Sequence, residues 1–175
     1  MDRHVALRAP RDDGLGQSVC NGHMKPAPVF RTLRPFDAVE CARLHAQAFS
    51  PAWTVQDFAD QIARTDRIIT GGALREPPLA GFAASRFVGD EADLLTIVVD
   101  RAARRGGLGA KLLAHHLSAL TTARVATVFL EVGATNDPAL KLYDRMGFVR
   151  VGARKNYYEA GPRGREDAIV LRCDL

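Results

Sequence analysis

Two apolar, β-branched runs, Leu94 to Val99 and Val125 to Val132, bracket a segment in which Leu108, Leu112, Leu113, Leu117 and Leu120 trace one face of a helix. A continuous apolar run of this length suits a central strand buried on both faces, and the leucine spacing suits an amphipathic helix. Together they commit the middle of the chain to an α/β architecture.

The flanking segments extend the pattern. A first strand is expected around Val29 to Arg34, and Val39, Ala42, Ala46 and Phe49 then recur at helical spacing until Ser50-Pro51 breaks the helix. Thr54 followed by Asp57 reads as a capping box opening a second helix to about Arg64. Strands are expected over Arg67 to Leu74 and Leu79 to Phe87, joined by a turn at Glu76-Pro77-Pro78. Ala139, Leu142, Tyr143 and Met146 fall at helical spacing between Pro138 and Gly147, a helix punctuated at both ends. Two last strands are expected near Phe148 to Arg154 and Ala168 to Cys173. The expected fold is α/β, a mixed central sheet flanked by helices in one domain over residues 29–175. Residues 1–28 are rich in Arg, Asp, Gly and Pro without a sustained period and read as a flexible extension.

Composition excludes several classes. An apolar fraction of 47% and a charged fraction of 25% are those of an ordinary globule. No apolar run approaches the roughly 20 residues of a membrane helix, and the N-terminus lacks the apolar core of a secretory signal. Cys20, Cys41 and Cys173 form no CxxC pair, which points to reduced thiols and a cytoplasmic protein. No metal is expected, because the adjacent His115 and His116 would point about 100° apart on a helix. The net charge of +4 suits an anionic ligand, provided the charges gather at one place. Arg150, Arg154, Lys155, Arg163 and Arg165 read as a solvated face, so direct nucleic-acid binding is not expected.

They do gather at one place. Val98-Val99-Asp100-Arg101-Ala102-Ala103-Arg104-Arg105-Gly106-Gly107-Leu108-Gly109 ends a buried strand, runs through a basic loop and opens a long helix on glycines. A helix start offers free N–H groups and a partial positive charge, and glycines let a phosphate approach the backbone. Other nucleotide motifs do not fit. A P-loop needs Gly-Lys-Ser/Thr where Gly109-Ala110-Lys111 stands, and a dinucleotide fingerprint needs Gly or Ala where Leu112 stands.

Arg104-x-x-Gly107-x-Gly109 matches the acyl-CoA motif of the GNAT acetyltransferases, and the chain strongly resembles that family. The resemblance narrows to the ribosomal-protein-alanine N-acetyltransferases through Glu91 to Asp100, Leu130-Glu131-Val132 with Asn136, Leu142-Tyr143 with Gly147-Phe148, Asn156-Tyr157-Tyr158 and Glu166-Asp167-Ala168. Trp53-Thr54 with Phe58 matches more loosely, and Gly133 stands where the family usually has Arg. The resemblance implies two central strands that splay apart, with the pantetheine arm of acetyl-CoA in the gap beside Ile97, Val98 and Val99. It implies a pyrophosphate on Arg105, Gly106, Gly107, Leu108, Gly109 and Ala110, with Arg104 part of the motif and Asn136 touching the cofactor. It also implies Glu131 as general base and Tyr143 as general acid.

The residues themselves suit those roles. Glu131 is a lone carboxylate in an apolar strand, and Tyr143 lies on the inward face of its helix. Backbone N–H groups near Val98 and Val99 are candidates for the oxyanion. Trp53, Tyr157 and Tyr158 are candidate walls for an acceptor peptide, read as exposed loop aromatics. Three functions stay open: acetylation of a protein N-terminus, in particular the alanine of a small-subunit ribosomal protein; acetylation of lysine or a small amine; and a non-catalytic acyl-CoA module. Retention of Glu131 and Tyr143 argues against the last.

Overall fold

The computed structural model describes residues 27–74, 78–159 and 164–175. Strand β1 (Val29–Thr32) leads into helices α1 (Ala38–Ala46) and α2 (Val55–Ala63). Strands β2 (Arg67–Ala73), β3 (Gly81–Val88) and β4 (Glu91–Val99) follow, then helix α3 (Leu108–Thr122), strand β5 (Thr127–Gly133) and helix α4 (Asp137–Arg145). Strands β6 (Val149–Glu159) and β7 (Arg165–Asp174) close the chain. All seven strands form one sheet in the order β1-β2-β3-β4-β5-β7-β6. The sheet is mixed, because β4 and β5 run parallel while the other neighbours are antiparallel.

Each element has a visible local cause. The capping box of α2 is present: Asp57 N donates to Thr54 Oγ1 at 3.1 Å and Thr54 N donates to Asp57 Oδ2 at 2.7 Å. Helix α4 has Asn136 at its cap and Pro138 in its first turn, and it ends before Gly147, whose φ of +84° suits glycine. The helix expected to reach Phe49 stops at Ala46, and the first strand stops at Thr32. Strands β6 and β7 both run past the expected limits. The turn expected at Glu76-Pro77-Pro78 falls largely on residues 75–77, outside the described residues, as does the extension over residues 1–26.

Two cores lie on opposite faces of the sheet. Alternation in β3 sends Phe82 to one and Ala83 to the other. On one face, Leu112, Leu113 and Leu120 of α3 and Leu142 and Tyr143 of α4 pack on Leu94, Ile97, Leu130 and Val132. On the other, Leu44 and Phe58 of α1 and α2 cover Phe82, Ala84 and Val98.

Strand β4 carries the irregularity that makes the site. Ser85 pairs with Leu94 and Ala84 with Thr96, so Leu95 is an extra residue. A bulge of this kind bends its strand and increases the local twist. It also explains why Leu94 and Ile97, three apart, face the same core. Beside it, β4 and β5 pair only over Glu91–Asp93 and Thr127–Phe129, and then part.

Candidate active site

The basic loop is built as a rigid turn. Asp100 Oδ1 accepts from Ala102 N at 2.9 Å, and Asp100 Oδ2 receives Arg43 at 3.2 Å and Gln47 at 3.3 Å. Arg101 Nη2 donates to the Gln47 carbonyl at 2.9 Å, tying the loop to α1. Arg104 Nε donates to the Val99 carbonyl at 2.9 Å, so this motif residue latches the loop to the end of β4. Arg105 and Gly107 have φ of +64° and +77°. Gly107 therefore needs to be glycine for its backbone conformation, since nothing lies within 4 Å of an added Cβ. Gly109 has room for a methyl group, at 3.6 Å from Val99 Cγ2 and 3.8 Å from Leu142 Cδ2. The first described helical bond of α3 runs from Lys111 N to the Gly107 carbonyl, at 3.2 Å. The N–H groups of the first turn, over Leu108, Gly109 and Ala110, thus face outward beside Arg104 and Arg105, a suitable seat for a phosphate.

Beyond the turn lies the parted edge of β4, from Leu94 to Val99, with Ile97, Val98 and Val99 buried on it. Across the gap stands Glu131 in β5, its side chain 12% exposed. Below it, Tyr143 of α4 is fully buried and packs edge-on against Phe148 at 5.5 Å. Burial pushes the Tyr143 phenol well above its ordinary pKa, so it keeps its proton at neutral pH. Three buried oxygens from the elements around the gap accept or donate no hydrogen bond among the described residues: Thr96 Oγ1, Glu131 Oε2 and Tyr143 Oη. Buried polar atoms are normally paired, so these three suit a site completed by a bound molecule; Gln47 Oε1, just past α1, also accepts nothing from the described residues. Asn136 caps α4, accepting from Ala139 N at 3.4 Å.

The open face of β5, β7 and β6 adjoins the gap. Tyr157 and Tyr158 sit on strand β6 and are half-buried, which corrects their reading as exposed loop residues. The cause is a bulge: Arg154 pairs with Ala168 and Tyr158 with Glu166, so three residues face Asp167. Asn156 takes the left-handed turn, φ +53°, and its N–H donates to Asp167 Oδ1 at 2.9 Å. Asn tolerates that conformation better than most residues. Tyr158 Oη donates to the Glu131 carbonyl at 3.3 Å. Trp53 is turned toward the core, stacked on His45 at 5.2 Å, and its backbone N–H donates to His45 Nδ1 at 3.1 Å.

Two features escaped the sequence. Arg154, read there as part of a solvated face, donates from Nη1 to Glu131 Oε1 at 2.8 Å. Gly133 leaves space for Glu166, whose Oε1 would lie 2.8 Å from a Cβ at position 133 and accepts from Thr135 N at 2.6 Å. A side chain at 133 would push that carboxylate aside. Among the described residues no group of three or more His, Cys, Asp or Glu could hold a metal ion.

Known proteins share this arrangement. The acetyltransferase (GNAT) family model matches residues 38–148. The [ribosomal protein bS18]-alanine N-acetyltransferase of Escherichia coli K12 is 35% identical over 144 residues, covering 82% of this chain and 95% of that protein. The N-alpha-acetyltransferase RimI of Mycobacterium tuberculosis is 36% identical over 144 residues, covering 79% and 87%. The crystal structure of the E. coli ribosomal-protein-S18-alanine N-acetyltransferase superposes with a TM-score of 0.77 at 32% identity, covering 85% of this chain and 94% of that one. With its split sheet and glycine turn in place, this chain belongs to the GNAT acetyltransferase family and is an N-acetyltransferase.

Proposed function

We propose that this enzyme moves the acetyl group of acetyl-CoA to the N-terminal α-amine of a protein, the acceptor being an N-terminal alanine of a small-subunit ribosomal protein. The likeness to enzymes named for that acceptor supports the reading. The observation that carries the chemistry is the gap between β4 and β5, with Glu131 Oε2, Tyr143 Oη and Thr96 Oγ1 buried around it without hydrogen-bond partners among the described residues. The catalytic domain is residues 29–175, and the setting is the cytoplasm, where ribosomes and reduced thiols are found.

Acetyl-CoA supplies the activated thioester. The helix start at Arg105 to Ala110 holds its pyrophosphate, and the free edge of β4 over Ile97 to Val99 pairs with its pantetheine arm. Arg104 shapes the loop and Asn136 flanks the arm. Glu131 takes the amine proton, directly or through one water. Backbone N–H groups near Val98 and Val99 stabilise the oxyanion. Tyr143 gives its proton to the departing sulfur, which suits a phenol that burial keeps protonated. Trp53, Tyr157 and Tyr158 border the acceptor groove.

An α-amine is the easier acceptor. Its pKa is about 7.7–8.0 against about 10.4 for lysine, so a lysine site must supply about 3.4 kcal/mol more deprotonation. Two peptides starting Ala-Arg, one free and one N-formylated, each with an internal lysine, test the reading by mass spectrometry. The free peptide should be acetylated on its N-terminal residue and the formylated one should react poorly. Equal lysine labelling in both would replace this proposal with a lysine acetyltransferase.

A further inference from the structure

The two oxygens of Glu131 have different surroundings. Oε1 accepts from Arg154 Nη1 at 2.8 Å, while Oε2 is buried and accepts nothing from the described residues. The Arg154 guanidinium is itself fixed, lying over the Tyr157 ring at 4.3 Å from its centroid, and Tyr157 meets Tyr158 edge-on at 5.1 Å. Arginine over an aromatic face gains cation–π attraction and loses freedom. The β6 bulge sets this geometry. Arg154 pairs with Ala168 just before the three residues that face Asp167, two of them extra, and Tyr158 resumes pairing just after them. The bulge thus brings Arg154 and Tyr158 to Glu131 from one strand, one on its carboxylate and one on its carbonyl.

We propose that Arg154 is a positioning residue for acetyl transfer, anchoring Glu131 Oε1 so that Oε2 is the oxygen presented to the acceptor amine. The proposal rests on Glu131 being the proton acceptor. Anchoring one oxygen removes the carboxylate's rotation, and orientation of this kind contributes to rate rather than to binding. Tyr143 from α4, Tyr157 from β6 and Glu166 from β7 share this neighbourhood, and among these groups Arg154 is the one that donates to the Glu131 carboxylate. Arg154 is half exposed, which leaves it accessible to change without opening the core.

The test uses Arg154→Gln, Arg154→Lys and Glu131→Gln in the full chain, with acetyl-CoA and the free-amine peptide, and kcat and KM measured. Melting temperature and acetyl-CoA-induced stabilisation serve as fold controls. Arg154→Gln should lower kcat about tenfold or more with little change in KM for acetyl-CoA. Arg154→Lys should recover most of the lost rate. If Glu131→Gln is inactive while Arg154→Gln keeps the wild-type kcat, Arg154 does not position the base. Loss of rate with KM for acetyl-CoA raised in step and no recovery by lysine would equally overturn the proposal, leaving a packing role. Full turnover by Glu131→Gln would remove the base assignment and the proposal with it.

Discussion

Histidine 116 makes acid stability a quantitative test of the fold. Its ring is fully buried between two strands, with Thr70 Oγ1 2.9 Å from Nδ1 and Ser85 Oγ 2.8 Å from Nε2. Burial, aided by the neighbouring His115, pushes its pKa from an ordinary 6.5 down to about 3. The unfolded chain therefore binds a proton near pH 6.5 that the folded chain refuses until about pH 3. Between those values the unfolded state holds more protons, so stability falls as the pH falls. The slope approaches about 1.4 kcal/mol per pH unit, and the loss from pH 7 to pH 5 is about 2 kcal/mol from this residue.

Urea denaturation of the wild type and of His116→Gln at both pH values isolates the effect. Glutamine cannot take up the proton, and the other acidic and histidine groups contribute to both proteins alike. The variant should be less stable at pH 7 by about 1–3 kcal/mol through its imperfect hydrogen bonds. The two proteins should then converge by about 2 kcal/mol at pH 5. Parallel loss of stability in both would show that His116 is not the neutral, buried group argued here.

Other outcomes follow from the site. Gly106→Glu should abolish the rise in melting temperature given by acetyl-CoA without unfolding the protein, because position 106 has only the Ala103 carbonyl at 3.8 Å from an added Cβ; calorimetry with and without acetyl-CoA reads both. Tyr143→Phe should lower kcat about a hundredfold while acetyl-CoA affinity changes little, since the ring keeps its packing and loses the acid proton. Changing Cys41 and Cys173 to Ser should leave most turnover in steady-state assays, because burial pushes the Cys41 thiol up to about 12 and raises that of Cys173, so neither forms a ready nucleophile. Gly133→Ala should cost about 1 kcal/mol by denaturant unfolding as Glu166 is moved off Thr135, and the cost should vanish in a Glu166→Ala background.

The elements legible in the sequence were those whose signals are local. Helix α3 showed its leucine face, α2 its capping box, and α4 its Pro138 and Gly147. The buried runs of β4 and β5 were equally plain. Strands β6 and β7 extend beyond the expected limits because no apolar alternation marks Lys155 to Glu159 or Arg165 to Asp167. The candidate site is legible in the sequence where it is contiguous, in the turn from Val98 to Gly109, while Glu131 and Tyr143 enter as candidates through family likeness. The Arg154–Glu131 contact spans 23 residues and depends on a bulge, so no local pattern announces it. The packing of Trp53 on His45, whose ring accepts the Trp53 backbone N–H across a loop, is likewise a contact that no local pattern announces.

Buried polar groups near the sheet are of two kinds. Such a group costs about 1–3 kcal/mol when left without a partner, so a fold retains it only where the partner is protein or arrives later. His116 is the first kind: both ring nitrogens meet hydroxyls, Thr70 of β2 and Ser85 of β3. Thr96, Glu131 and Tyr143 are the second kind, and they come from β4, β5 and α4, the elements around the gap. The extra residue at Leu95 bends β4 just past Asp93, the last β4 residue paired with β5. A substitution that let β4 and β5 pair fully would close the sheet, satisfy more backbone, and remove the site. The bulge thus forgoes several interstrand hydrogen bonds for an edge that another molecule can complete.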